Sequence, residues 1–244
     1  MPQTLITKTI TRPQDLFSLN IRNVNDLFPG FAPGDFTVIY GSPSVVSLTS
    51  LLCVRAQLPS QLGGLSSNVV FIDGGDTFRL YQIARLAQIH HLDPKQVLDR
   101  IYLSRAFTAY QITSLIMEHL RDAVAKYNTK LVIISDIAGL FLDKDIPDEE
   151  AERVFSQVTA YLQNFARQNQ IILIATCVPR QKNSRNVCLQ TLTCDKANVV
   201  LSLKQTMYDR DFTLEKHPRF MLGSAEFPSE NLTLNDFMSR SKMV

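Results

Sequence analysis

The sequence lacks the features typical of secreted, metal-binding or membrane-spanning proteins. Its four cysteines show no C-x-x-C spacing, so we expect buried, reduced thiols in preference to disulfides or a zinc site. The adjacent histidines, His90 and His91, show no H-x-x-x-H pattern beside a carboxylate, so we expect no metal site. No segment approaches the roughly 20 apolar residues that a membrane helix requires, and the N-terminus has no apolar signal core. These absences favour a soluble, cytoplasmic protein.

A strong charge of either sign is also absent. The 244 residues carry a formal net charge of +2, so the composition neither requires nor excludes a nucleic acid as partner. Apolar residues make up 45% of the chain and charged residues 20%, which provides a substantial core and argues against disorder. The length suits one large α/β domain, with two small domains as the alternative.

Strand and helix patterns alternate along the chain. Five β-forming runs are separated by segments with helical periodicity, and the runs KLVIISD and QIILIAT are apolar throughout, as expected of strands buried on both faces. This order predicts an α/β fold with a mainly parallel central sheet and helices on both faces. Later runs with hairpin-like spacing predict a C-terminal antiparallel extension. We expect the first and fourth strands to be neighbours, an arm at residues 1–20, a core domain at residues 21–228 and a tail at residues 229–244.

The first strand leads into a loop that has the position of a phosphate-binding loop but lacks the residues of one. The segment FTVIYGSPSVVSLTSLL has the strand-loop-helix context of a phosphate-binding loop, G-x-x-x-x-G-K-S/T. Counted from Gly41, the second glycine falls on Val46, the lysine on Ser47 and the hydroxyl residue on Leu48. Because a lone glycine loop is a weak signal, the segment taken alone favours a plain strand-to-helix turn in an unrelated α/β domain.

A longer block changes that interpretation, because it resembles the core of RecA/RadA-type recombinases. Its matching motifs are Ile72–Asp73, Thr77–Arg79, Val97–Asp99, Arg105–Phe107 and Gln111. The segments LVIISDIAGLF and IILIATCV resemble the second nucleotide strand and the sensor strand of that family. KaiC-like ATPases share the outline but match the block less well. The resemblance covers about residues 27–227 and implies a RecA-like P-loop NTPase core.

The resemblance also implies functional positions, and most of them are substituted. The catalytic glutamate falls on Gly75, with Asp76 one residue away. The metal-associated aspartate falls on Ser135, with Asp136 one residue away, and the glutamine that senses the γ-phosphate falls on Cys177. The degenerate nucleotide site therefore comprises Gly41, Ser42, Ser44, Ser47, Leu48, Thr49, Gly75, Asp76, Ser135, Asp136 and Cys177.

These substitutions predict an inactive enzyme that takes no cofactor. Phosphoryl transfer requires cations that neutralise developing charge and a group that orients the nucleophile, and the loss of one such electrostatic contact can cost about 3 kcal/mol of barrier. Pro43 also removes a loop amide, and Val45 and Val46 crowd the turn. We expect Mg·ATP binding to be weak or absent. A weak ATPase that depends on Asp76 or Asp136 is the alternative.

The resemblance implies two loops that contact DNA. The first maps to residues 142–153, an acidic stretch that would repel phosphates. The second maps to residues 179–196, which we expect to form an exposed loop without an aromatic for base stacking. Its candidate DNA-binding residues are Arg180, Lys182, Arg185 and Lys196. A flexible loop that binds nothing is the alternative.

Two functions follow from this sequence. The first is a catalytically inactive recombinase paralogue in DNA recombination or repair, which binds DNA or assembles with and regulates an active recombinase. The second is a structural assembly subunit without a nucleic-acid role. The apolar residues Pro43, Val45, Val46 and Leu48 would make the nucleotide face better suited to a permanent contact, with another recombinase or with a second copy of this chain.

Overall fold

The structure, a computed structural model, describes residues 16–178, 180, 183–205, 210–228 and 233–237. Within these residues one sheet contains the strands β1 Phe36–Gly41, β2 Asn68–Asp73, β3 Ile101–Arg105, β4 Thr129–Ser135, β5 Ile172–Cys177, β6 Val199–Gln205, β7 Arg210–Lys216 and β8 Gly223–Glu226. The helices are α1 Arg22–Leu27, α2 Ser44–Arg55, α3 Leu80–Ile89, α4 Pro94–Asp99, α5 Ala109–Ser114, α6 Leu120–Lys126, α7 Asp148–Asn169 and α8 Ser184–Lys196.

The strand order is β3-β2-β4-β5-β1-β6-β7-β8. Pairing is parallel from β3 through β6 and antiparallel for β6-β7 and β7-β8. The predicted α/β fold, its mainly parallel sheet and its C-terminal antiparallel extension are therefore confirmed.

The expectation that the first and fourth strands are neighbours is wrong. Strand β5 lies between them, with Leu173 beside Phe36 of β1 and Ile172 beside Leu131 of β4. Uninterrupted apolar runs identify strands that are buried on both faces, but β4 and β5 show the same pattern. The sequence pattern therefore could not show which of the two strands lies next to β1.

A hydrophobic core covers each face of the sheet. Successive residues of β1 point to opposite faces, so Ile39 belongs to the core that contains Leu51 of α2, while Val38 belongs to the core that contains Phe155 of α7. The segment at residues 16–20, which falls in the predicted arm, contributes Phe17 to the first core. The domain boundaries themselves stay a prediction.

The segment at residues 179–196, expected to be a loop, is mostly helical. Its polar composition suggested a loop, but Asn183 accepts a hydrogen bond from the Asn186 amide and caps α8, and Leu189 and Thr193 are buried against the sheet. This narrow buried stripe stabilises a helix that composition alone did not indicate. None of the helices in the described residues is long and apolar enough to cross a bilayer.

Candidate functional site

The predicted site residues converge on one edge of the sheet. Gly41, Asp73, Ser135 and Cys177 are the last residues of β1, β2, β4 and β5. Asp73 lies beside Ser135 in register, and Cys177 lies beside Tyr40. Ligands of open α/β sheets bind outside the carboxyl ends of the strands, so the residues occupy the position that a nucleotide site requires.

The backbone amides of the loop have acceptors within the protein. The Ser42 amide donates to the Leu203 carbonyl at 2.7 Å, the Ser44 amide to the Ser42 hydroxyl at 3.3 Å and the Val45 amide to the Ser42 carbonyl at 3.1 Å. The Val46 amide donates to the carbonyl of Pro43, which has no N–H of its own. A phosphate loop works because its amides point at the ligand, and here these groups are bonded internally.

Gly41 has a packing reason to be glycine. Its φ is +113°, and a Cβ atom there would lie 2.1 Å from the carbonyl oxygen of Leu203 on β6. The close approach of β1 and β6 therefore accounts for the residue that first suggested a phosphate loop.

Several side chains at the start of α2 are buried or contact the neighbouring helix. Leu48 is fully buried, where a nucleotide loop would present a hydroxyl. Ser47 accepts a hydrogen bond from the Gln82 amide nitrogen at 2.9 Å, which ties α2 to α3, and Thr49 donates to the Val46 carbonyl. A shallow depression beside the loop is lined by Pro43, Val46, Ser47 and residues 78–82.

Asp73 is a buried carboxylate held by several donors. It accepts hydrogen bonds from the Thr77 amide at 2.9 Å and the Ser135 hydroxyl at 2.8 Å, and Arg105 lies 3.5 Å away. Burial acts to raise the pKa of Asp73, but hydrogen bonds from Thr77, Ser135, Phe78 and Gly75 outweigh it and lower the pKa. Ser135, at the predicted metal position, is therefore part of this buried network.

Asp136 is the other carboxylate at this edge, and it is paired. Arg180 Nη2 lies 2.6 Å from Asp136 Oδ2, and the Val178 amide donates to Oδ1 at 3.3 Å. Burial raises the pKa of Asp136, while the Arg180 charge opposes that rise. The Asp136 amide donates to the Thr176 hydroxyl, so residues at the end of β5 bond both the backbone and the side chain of Asp136.

Gly75, at the predicted catalytic position, has no space for a side chain. A Cβ atom there would lie 2.6 Å from Asp136 Cβ and 2.9 Å from its Oδ2. Asp76, the possible substitute, is 79% exposed and pairs with Arg105 at 3.1 Å. Cys177 is fully buried, and burial raises the pKa of its thiol.

The Mg·ATP that the resemblance implies does not fit these residues. The loop amides and the Asp136 carboxylate have internal partners, and Ser47 takes the place of the lysine. Among the described residues, no group of three or more His, Cys, Asp or Glu side chains is placed to hold a metal ion.

Two of the predicted DNA-binding cations have partners within the protein. Arg180 pairs with Asp136, and Arg185 pairs with Asp148 and donates to three carbonyl groups between residues 141 and 146. Lys196 ends α8. Lys182 lies outside the described residues.

Sequence reasoning missed the contribution of Gly139 and the partners of the arginines. A Cβ atom at Gly139 would lie 2.2 Å from Asp136 Oδ2, so this glycine leaves room for the ion pair. Asp136 and Arg180 are 44 residues apart in sequence, and no local sequence pattern indicates such a contact.

Comparison with known proteins identifies similar chains. The Rad51 family model matches residues 23–194, which is more than half of the chain. The DNA repair and recombination protein RadA of Metallosphaera sedula is 30% identical over 169 residues, or 68% of this chain and 48% of the relative. The protein of the same name from Cenarchaeum symbiosum is 35% identical over 91 residues, or 37% of this chain and 22% of the relative. The chain covers less than half the length of either relative.

Proposed function

The chain belongs to the Rad51 family, and we propose that it is a catalytically inactive member that acts in DNA recombination or repair by assembling with an active recombinase and regulating it. The observation that carries this proposal is the internal bonding of the amides of Ser42, Ser44, Val45 and Val46. Each amide would have to break a protein hydrogen bond before it could bind a phosphate, and no lysine charge is present at Ser47 to drive that exchange.

Apolar residues at the free edge of the sheet support assembly. Within the described residues β3 pairs only with β2, so its other edge presents unpaired backbone groups. On β3 itself Leu103 is 41% exposed, and Phe107, two residues after the strand ends, is 72% exposed. An exposed edge strand with apolar side chains is suited to pairing with a strand of another subunit.

The depression beside the loop offers a second apolar surface. Tyr81 is 88% exposed and Leu80 48%, and both lie next to Val46 and Pro43. Exposed apolar side chains grouped in this way favour a protein contact over a nucleotide site.

The test of assembly uses a nucleotide-competent Rad51-family recombinase from the same organism. We expect co-elution in size-exclusion chromatography without ATP, and a change in the strand-exchange rate of the recombinase. Phe107→Asp should weaken the complex at least tenfold, because it places a charge in an apolar contact.

The control is Val187→Asp, since Val187 is 62% exposed on α8 and should leave the complex intact. A strictly monomeric protein that neither binds the recombinase nor alters its activity would contradict the proposal.

Direct DNA binding is the second candidate. It is supported by the family and by the 45% exposure of the Arg180 side chain, but the internal partners of Arg180 and Arg185 weaken it. Salt-dependent binding of a DNA oligonucleotide that is lost on replacing Arg180 and Lys196 together would favour it. Assembly without salt-dependent DNA binding would instead favour a structural subunit.

A further inference from the structure

Asp136 and Arg180 form an ion pair whose two members differ in exposure. The Asp136 side chain is 2% exposed and that of Arg180 is 45% exposed, and their Oδ2 and Nη2 atoms are 2.6 Å apart. The guanidinium therefore lies on the solvent side of the carboxylate. A buried carboxylate requires a nearby cation or hydrogen-bond donors to stay charged.

Small residues on either side make room for this pair. A Cβ atom at Gly139 would lie 2.2 Å from Asp136 Oδ2 and 2.8 Å from Arg180 Nη2. A Cβ atom at Gly75 would lie 2.6 Å from Asp136 Cβ. Since two glycines and the guanidinium enclose the carboxylate, the geometry is that of a built position and not of two surface side chains that meet by chance.

A second buried carboxylate lies at the end of the neighbouring strand. Asp73 ends β2 and is in register with Ser135, the residue before Asp136. It too faces a guanidinium, with Arg105 Nη2 at 3.5 Å. The negative charge of Asp73 acts on Asp136, and arginine side chains provide the positive charge beside both carboxylates.

We propose that the Arg180 guanidinium is a built-in counter-ion of Asp136, one residue beyond Ser135, the position on which the metal-associated aspartate of the family falls. Arg180 thereby ties the chain after β5 to the end of β4 in the absence of nucleotide. This inference rests on the proposed function only in taking the site to be free of Mg·ATP.

Removal of the guanidinium should have two consequences. Arg180→Gln leaves a buried carboxylate without its counter-ion, so the melting temperature should fall by about 5 °C. The same variant should gain affinity for a small divalent cation, since carboxylate oxygens become available to it. Millimolar Mn²⁺ should therefore raise the melting temperature of Arg180→Gln by several degrees and leave wild type unchanged.

The experiment is a double-mutant cycle followed by thermal unfolding with and without Mn²⁺. The variants are Arg180→Gln, Asp136→Asn and the double variant. We expect the double variant to melt above Arg180→Gln, because it no longer buries an unpaired charge. We expect no Mn²⁺ response from either variant that carries Asp136→Asn.

Arg185→Gln is the matched control. Arg185 also pairs with an aspartate and donates to backbone carbonyls, so its loss should destabilise the protein without creating a response to Mn²⁺. Additive effects in the cycle, or an equal Mn²⁺ response in wild type and Arg180→Gln, would overturn the inference. A separate titration of wild type with Mg·ATP distinguishes the two failures. Saturable ATP binding would contradict the proposed function and with it this inference, whereas additive effects in the cycle without ATP binding would overturn this inference alone.

Discussion

At the carboxyl edge of the sheet, single residues contact other parts of the protein at positions where the family resemblance implies contacts with a ligand. Gly75 shows this most directly, because its substitution does more than remove a carboxylate. The position of its missing Cβ atom lies 2.6 Å from Asp136 Cβ, so the loss of a side chain at 75 and the presence of Asp136 are physically coupled. We therefore expect that reversion of this one position would not make the site active.

Reversion of Gly75 should therefore destabilise the protein without restoring activity. Gly75→Glu should lower the free energy of unfolding by about 1–3 kcal/mol, as overpacking of a close contact does. Urea denaturation measures the loss, and an ATPase assay should show no turnover. Gly223→Ala is the control, because its new methyl group would meet only the flexible tip of Leu27, at 3.1 Å. Equal stabilities for Gly75→Glu and wild type, or the appearance of ATP turnover, would contradict this account.

His90 should make stability depend on pH in the acid range. Burial, together with the charges of Arg55 and His91, lowers the pKa of His90 to about 4 from its ordinary value of 6.5. Between these values the unfolded chain binds a proton and the folded chain does not, so stability falls as the pH falls from 6.5 to 4. The loss attributable to His90 should reach roughly 2 kcal/mol.

His90→Phe tests this dependence, since phenylalanine can still pack against Phe237 but does not titrate. Its unfolding free energy should decline less between pH 6.5 and pH 4 than that of wild type. Some dependence of stability on pH should persist in this variant, because burial also lowers the pKa of His217 to about 4. The exposed His119→Phe is the control and should follow wild type. Identical profiles for His90→Phe and wild type would refute the assignment.

Whole strands and helices were predicted better than their arrangement. Each buried strand leaves an uninterrupted apolar run, so strands and crossover helices were recognised from sequence. Position in the sheet was not, because the apolar runs of β4 and β5 carry the same signal. Helix α8 was missed, because its buried stripe is only a few residues wide and its composition is polar.

At the site, the sequence predicted which positions are substituted but not what replaces their contacts. The loop amides bond within the turn and to β6, which no motif comparison could indicate. The partners of Asp136 and Arg185 are also distant in sequence, 44 and 37 residues away respectively. Such pairs depend on the fold as a whole.

The loop between β1 and α2 should not regain nucleotide binding when its consensus is restored. The triple variant Val46→Gly, Ser47→Lys, Leu48→Thr recreates the motif from Gly41, yet its amides would still have to leave their acceptors. Leu48→Thr also buries a hydroxyl in the core and should cost about 1–3 kcal/mol. Equilibrium titration with Mg·ATP should give no saturation up to millimolar concentration.

Ser47→Lys alone is the control for a simple charge effect. It should increase weak, salt-sensitive attraction of any polyanion equally, without preference for ATP. Micromolar, Mg²⁺-dependent ATP binding by the triple variant would mean that the loop amides are available after all.

The molecule as a whole has the architecture of its family. At the carboxyl edge of its sheet, however, polar groups bond to one another within the protein. Hydrogen bonds and ion pairs link β1 to β6, α2 to α3, and the end of β4 to the chain after β5. Exposed apolar residues lie instead at the free edge of β3 and beside the loop. This distribution suits a subunit whose contacts do not depend on ATP.

Thermal unfolding of wild type with and without 5 mM Mg·ATP tests that central claim most directly. A ligand at about 100 times its dissociation constant stabilises a protein by about 2.7 kcal/mol, which raises the melting temperature by several degrees in a chain of this size. We predict that Mg·ATP changes the melting temperature by less than about 1 °C, the same as an equal ionic strength of sodium sulfate. A saturable, Mg²⁺-dependent rise of several degrees would contradict the account.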